Sequence, residues 1–150
     1  MHFQPKTPSG LSVTATNSGG NTTATIRIAV TSDRSSWTSR TLPSSSDWQA
    51  FAFGNGVFVA IALGFTTAAA TSTDGITWTS RTLPSSGGAV TFGNGVFLII
   101  SPFSNIEITS PDGITWTNRT LPSASNWQAV GYGNGVFVAL SNTTIAASSP

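Results

Sequence analysis

Three short runs of the chain are apolar at every position: residues 57–61 (VFVAI), 96–100 (VFLII) and 136–140 (VFVAL). A strand with one wet face alternates apolar and polar side chains, so a continuous run predicts a strand covered on both sides. Each run follows a Gly-Asn-Gly triplet, beginning at Gly54, Gly93 and Gly133, and each triplet closes an earlier strand-like segment. In the first unit a third segment (66–71) leads through an Asp-Gly turn into a fourth (76–82), which stops at Leu83-Pro84. The triplets lie 39 and 40 residues apart, so the chain is a repeat of four strands per unit. No 3.6-residue periodicity survives between the turns, and no helix is predicted.

The Asp-Gly stretch is the most faithful copy in the chain. Residues 72–84 (STDGITWTSRTLP) return as 110–122 (SPDGITWTNRTLP), and 31–43 (TSDRSSWTSRTLP) is a worn version in which Arg34 stands at the Gly position. Asp-Gly between β-prone runs predicts a type I′ hairpin turn, with positive φ at both residues. Asp33, Asp74 and Asp112 are therefore read as turn-forming carboxylates, with Gly75 and Gly113 beside them. A calcium site needs several converging oxygens, and each of these is a lone carboxylate. Trp78 and Trp116 supply large areas to bury.

Residues 1–21 fall outside the repeat and read as an N-terminal arm; residues 22–150 read as the β-repeat domain. Residues 11–15 and 22–30 also have strand character. From residue 35 the order is a fourth strand, two full units and three further strands, or about three blade-equivalents. The fold class predicted is all-β: a propeller-like repeat of four-stranded antiparallel blades, with a β-trefoil as the alternative. Propellers typically close with about four to eight blades, so three predict open edges and a homo-oligomer that covers them.

Composition narrows the partners. Charged residues make up 7 % of the chain against an ordinary level of about 25 %, so Ser, Thr, Asn and Gly carry the wet surface. A net charge of +1 gives no electrostatic case for nucleic acid. The chain has no Cys, which excludes disulfides and thiolate chemistry. Neither a membrane-spanning run nor a signal peptide is read, so no membrane insertion is expected.

The Ser-x-Asp-Gly-x-Thr-Trp unit at residues 72–78 and 110–116 resembles the Asp box of sialidase-type β-propellers, with one residue fewer between Asp and Gly. The wider unit, GNGVFVA followed by STDGITWT, is similar to repeats of bacteriophage tail and other virion proteins, over roughly residues 31–150. In its family the Asp box marks the fold and lies outside the active site, so the resemblance implies blades and not glycosidase activity. It also implies a place on a phage particle, as a head-decoration or tail-fibre component. The 1–21 arm would then attach the chain to other virion proteins.

Catalytic groups are sparse. A glycosidase needs paired carboxylates, and outside the turns only Asp47 and Glu107 remain. Glu107, between Ile106 and Ile108, reads as the wet position of an alternating strand. Arg40, Arg81 and Arg119 share one repeat slot and read as bonding backbone carbonyls or stacking on Trp. Tyr132 takes the place of Phe53 and Phe92 and reads as core. His2 sits on the arm, which leaves no catalytic triad. No enzyme activity, cofactor or metal is expected.

One asymmetry points to binding. Asp47-Trp48-Gln49 matches Asn126-Trp127-Gln128, whereas the middle unit has Gly87-Gly88-Ala89. An aromatic face beside amides and a carboxylate suits a sugar or a flat protein surface. The plainer reading is that both Trp residues pack at blade edges. Two functions follow: a self-associating virion structural or adhesion protein, or a carbohydrate-binding lectin module that grips cell-surface glycans with Trp48 and Trp127.

Overall fold

The computed structural model describes residues 11–15, 24–28 and 36–149. His2, Asp33 and the rest of the 1–21 arm beyond its one strand lie outside the described residues. The chain divides into two units, Met1–Ser39 and Arg40–Pro150. In the first, β1 (Leu11–Ala15) pairs antiparallel with β2 (Ala24–Ile28), Leu11 opposite Ile28. This hairpin joins a strand of the arm to one that the sequence assigns to the repeat.

The second unit holds three antiparallel sheets, each a meander in chain order. The first comprises β3 (Trp48–Gly54), β4 (Val57–Ala62), β5 (Ala68–Ser72) and β6 (Thr79–Thr82). The second comprises β7 (Ala89–Gly93), β8 (Val96–Ile100), β9 (Ser104–Ser110) and β10 (Thr117–Ser125). The third has three strands, β11 (Trp127–Gly133), β12 (Val136–Ser141) and β13 (Ala146–Ser148). The protein is all-β, with no helix among the described residues.

The Gly-Asn-Gly triplets make the tight hairpins. Asn55 and Gly56 have φ of 48° and 76°, the positive pair that a type I′ turn demands, and the other two triplets repeat it. This fixes the register, so that Phe53 faces Phe58, Phe92 faces Phe97 and Tyr132 faces Phe137. The paired rings lie 4.5, 4.8 and 4.7 Å apart, one cross-strand aromatic pair per sheet.

The Asp-Gly turn differs from its expected form. Gly75 and Gly113 take positive φ, but Asp74 and Asp112 do not, so these are not type I′ turns. The outer strands begin only at Thr79 and Thr117, because the residues before them are held in a loop by the aspartate.

The first strands of the sheets lie side by side, β3 against β7 and β7 against β11. Two cores result. Val59, Ile61, Ala69 and Leu83 of the first sheet pack on Phe97, Ile99 and Ile108 of the second. Leu98, Ile100 and Leu121 of the second pack on Trp127 and Ala139. Strand β8 is thus buried on both faces, as its continuous apolar run predicts. Small residues let the sheets meet: a Cβ on Gly54 would collide with the Phe92 ring, and one on Gly93 with Tyr132. Tyr132 is accordingly not a core residue; its ring lies over Gly93 and remains 36 % exposed.

Candidate interaction surface

Each aspartate turn is a closed hydrogen-bond cage. Asp74 Oδ1 accepts the Ile76 and Thr77 amides, both at 2.8 Å, and the Ser72 hydroxyl at 2.9 Å. Ser72 Oγ in turn accepts the Gly75 amide at 2.8 Å. Asp112 repeats this with Ile114, Thr115 and Ser110, and Gly113 donates to Ser110 Oγ. The amides of Thr77 and Ile76, then the Ser72 hydroxyl, lower the Asp74 carboxyl from an ordinary 3.8 to about 2. Those of Thr115 and Ile114 do the same for Asp112, to about 2. One oxygen of each carboxylate, Oδ1, is thus committed to holding the turn.

A pH dependence follows. A depressed carboxylate pKa contributes stability above the unfolded value and loses it as pH falls through the folded value. The melting temperature should therefore decline between about pH 4 and pH 2. Asp112→Asn keeps the accepting oxygen and removes the titration, so its decline should be shallower. Identical pH profiles would contradict the cage.

The two matched triplets keep the same local bond: Gln49 Nε2 donates to Asp47 Oδ1 at 2.6 Å, and Gln128 Nε2 to Asn126 Oδ1 at 2.8 Å. Their tryptophans diverge. Trp127 is 1 % exposed, inside the core between the second and third sheets, with its buried Nε1 unpaired. Trp48 is half-buried on the first sheet, and its Nε1 donates to the Ser44 carbonyl at 3.0 Å. A shared glycan platform of Trp48 and Trp127 is thus not present, because one indole is packed between sheets.

Glu107 is half-buried rather than solvated, since β9 belongs to the middle sheet. Burial raises its carboxyl pKa, and Arg119, paired across from it, acts in the opposite direction. It borders a cavity of about 210 Å³ between the second and third sheets, among Leu98, Phe137, Ala139 and Ala147. Arg81 donates from Nε to Thr71 Oγ1 at 3.0 Å, a bond to a side-chain hydroxyl. No group of three metal-binding side chains occurs among the described residues. Among the described residues no helix is long and apolar enough to cross a membrane.

The surface that distinguishes this molecule is apolar and lies on its two outer sheet faces. On the first sheet, Leu42, Trp48, Phe51, Phe58, Ala60 and Trp78 line an open groove of about 370 Å³. On the third, Val138 and Leu140 are 41 % and 50 % exposed, whereas their repeat counterparts Val59 and Ile61 are 0 % exposed. The continuous apolar run at 136–140 predicts a strand covered on both sides, and here the expectation fails: one face of β12 is open because no further sheet stands beside it among the described residues. Asn55, at the tip of the first hairpin, clamps the second sheet by donating from Nδ2 to the Gly95 and Pro111 carbonyls at 3.0 and 2.9 Å. A further exposed pair, Phe65 and Phe103, stacks at 5.9 Å on neighbouring loops and was not singled out by sequence pattern.

No protein-family model matches the chain, and no curated protein matches it.

Proposed function

We propose that this chain is a non-enzymatic structural or adhesion protein of a phage particle, a head-decoration or tail-fibre component that assembles with copies of itself through its outer sheet faces. The observation that carries the reading is the pair Val138 and Leu140, exposed where Val59 and Ile61 are sealed by the next sheet. Exposed contiguous apolar surface marks an interaction site. Propeller-like blades are the architecture favoured, because two separate cores lie between successive sheets; a trefoil would gather its strands around one. The virion assignment rests on the similarity of the repeat to phage tail proteins, and residues 1–21 are the proposed attachment to other virion proteins.

Burial of Trp127 removes half of the lectin alternative and leaves adhesion to a protein surface as the better fit. The commitment of Asp74 and Asp112 to backbone bonding weighs against a glycosidase. The test is mass in solution. Light scattering at micromolar concentration should give a multiple of the 15.4 kDa chain, and a folded 15.4 kDa monomer would overturn the reading.

A further inference from the structure

Residues 37–43 (WTSRTLP) are identical to residues 78–84, of which Thr79–Thr82 form β6, the outer strand of the first sheet. Residues 36–42 nonetheless form no strand here, and Trp37 is 97 % exposed. The third sheet, meanwhile, has three strands to its neighbours' four, and β13 has no outer partner among the described residues. Beside β13 lies the cavity of about 210 Å³ already described, lined by Phe137, Ala139 and Ala147. Their counterparts in the second sheet are Phe97, Ile99 and Ile108, and against these packs Trp116, the residue equivalent to Trp37. A cavity of ~150 Å³ holds benzene, so this one is of the size for an indole.

We propose that residues 36–42 of one copy add to the third sheet of a second copy as its fourth strand, antiparallel to β13, and seat the Trp37 indole in the cavity beside Phe137, Ala139 and Ala147. An exposed sheet edge is completed by main-chain bonds from an extended segment, and a side-chain pocket gives the register. The register follows from β5 and β6, where Ala70 faces Ser80 and Ala69 faces Arg81. By the repeat, Ser39 of one copy faces Ala147 of the other, and Arg40 faces Ala146. The same chain does not supply the strand to itself. Leu42 lies in the groove on the far side of the first sheet, two sheet spacings of ~10 Å from the third. The five residues from Leu42 back to Trp37 span at most about 18 Å when fully extended. This addition also brings the two open faces together, Val138 and Leu140 of one copy against the Phe58 groove of the next.

The inference deepens the self-association proposed above, and cysteine cross-linking tests it separately. The chain has no cysteine of its own. Ser39→Cys and Ala147→Cys are made in separate copies and mixed under mild oxidation. Directly opposed residues of an antiparallel pair have Cα atoms about 4.5–5.5 Å apart, within disulfide reach. The mixture should give a covalent heterodimer, and neither variant alone should give a dimer. An oligomer by light scattering with no heterodimer would overturn the strand addition while leaving self-association standing; a monomer would overturn both. A double variant that closes its disulfide within a monomer would also overturn it. As a second measure, Trp37→Ala should weaken assembly at least about tenfold, as loss of a buried aromatic anchor does, with the circular dichroism spectrum unchanged. Assembly at wild-type strength would place the indole outside the interface.

Discussion

Replacing Phe97 by alanine is expected to destabilise the protein by about 3–5 kcal/mol, the range for truncating a fully buried aromatic ring. Phe97 is 0 % exposed in the core between the first two sheets. Its ring meets Phe92 edge-on at 4.8 Å, so truncation removes an aromatic pair as well as buried area. β8 has a packed sheet on either side, which limits how far the site can collapse around the void. Urea unfolding measures the loss. A change below about 1 kcal/mol would mean that the sheets do not meet at this ring. Phe65, 74 % exposed on a loop, is the matching control and should be nearly silent when truncated.

Leu140→Glu is expected to leave the individual chain folded and to disperse the assembly. Leu140 is 50 % exposed in the single chain, so a carboxylate there stays hydrated and its circular dichroism should match wild type. Ile61, the same position one face inward, is 0 % exposed, and a copy docked on the third sheet would bury Leu140 similarly. An unpaired buried carboxylate costs several kcal/mol, enough to shift association by two or more orders of magnitude. Light scattering should therefore report monomers at concentrations where wild type is associated. Undiminished assembly would place the interface elsewhere.

Much of the fold is legible in local sequence. The three apolar runs become the second strand of each sheet, and Asn55-Gly56 makes its hairpin because Asn and Gly both readily accept a positive φ angle. The Asp-Gly turn misleads because the carboxylate finds two amides further along, at Ile76 and Thr77, and these pull the chain into a loop. Glu107 misleads for a different reason. Its neighbours alternate as a half-wet strand does, yet its sheet is flanked on both sides. Trp48 and Trp127 share the same local context and differ in burial, because one lies on an outer face and the other at a junction between sheets. Pattern reports which positions are apolar; which of them lie uncovered depends on how many sheets stand beside them.

Hydroxyl-radical footprinting of the assembled protein tests most directly whether a second copy covers the outer faces. Phe97 supplies the fully buried reference, and Phe65 and Phe103, 74 % and 63 % exposed, supply the reactive one. Trp37, 97 % exposed in the single chain, and Phe53, 52 % exposed and the counterpart of the Phe92 and Tyr132 rings that lie over Gly54 and Gly93, are expected to oxidise several-fold more slowly in the assembly than Phe65 and Phe103. Oxidation of Trp37 and Phe53 at rates matching Phe65 and Phe103 would contradict coverage by a second copy.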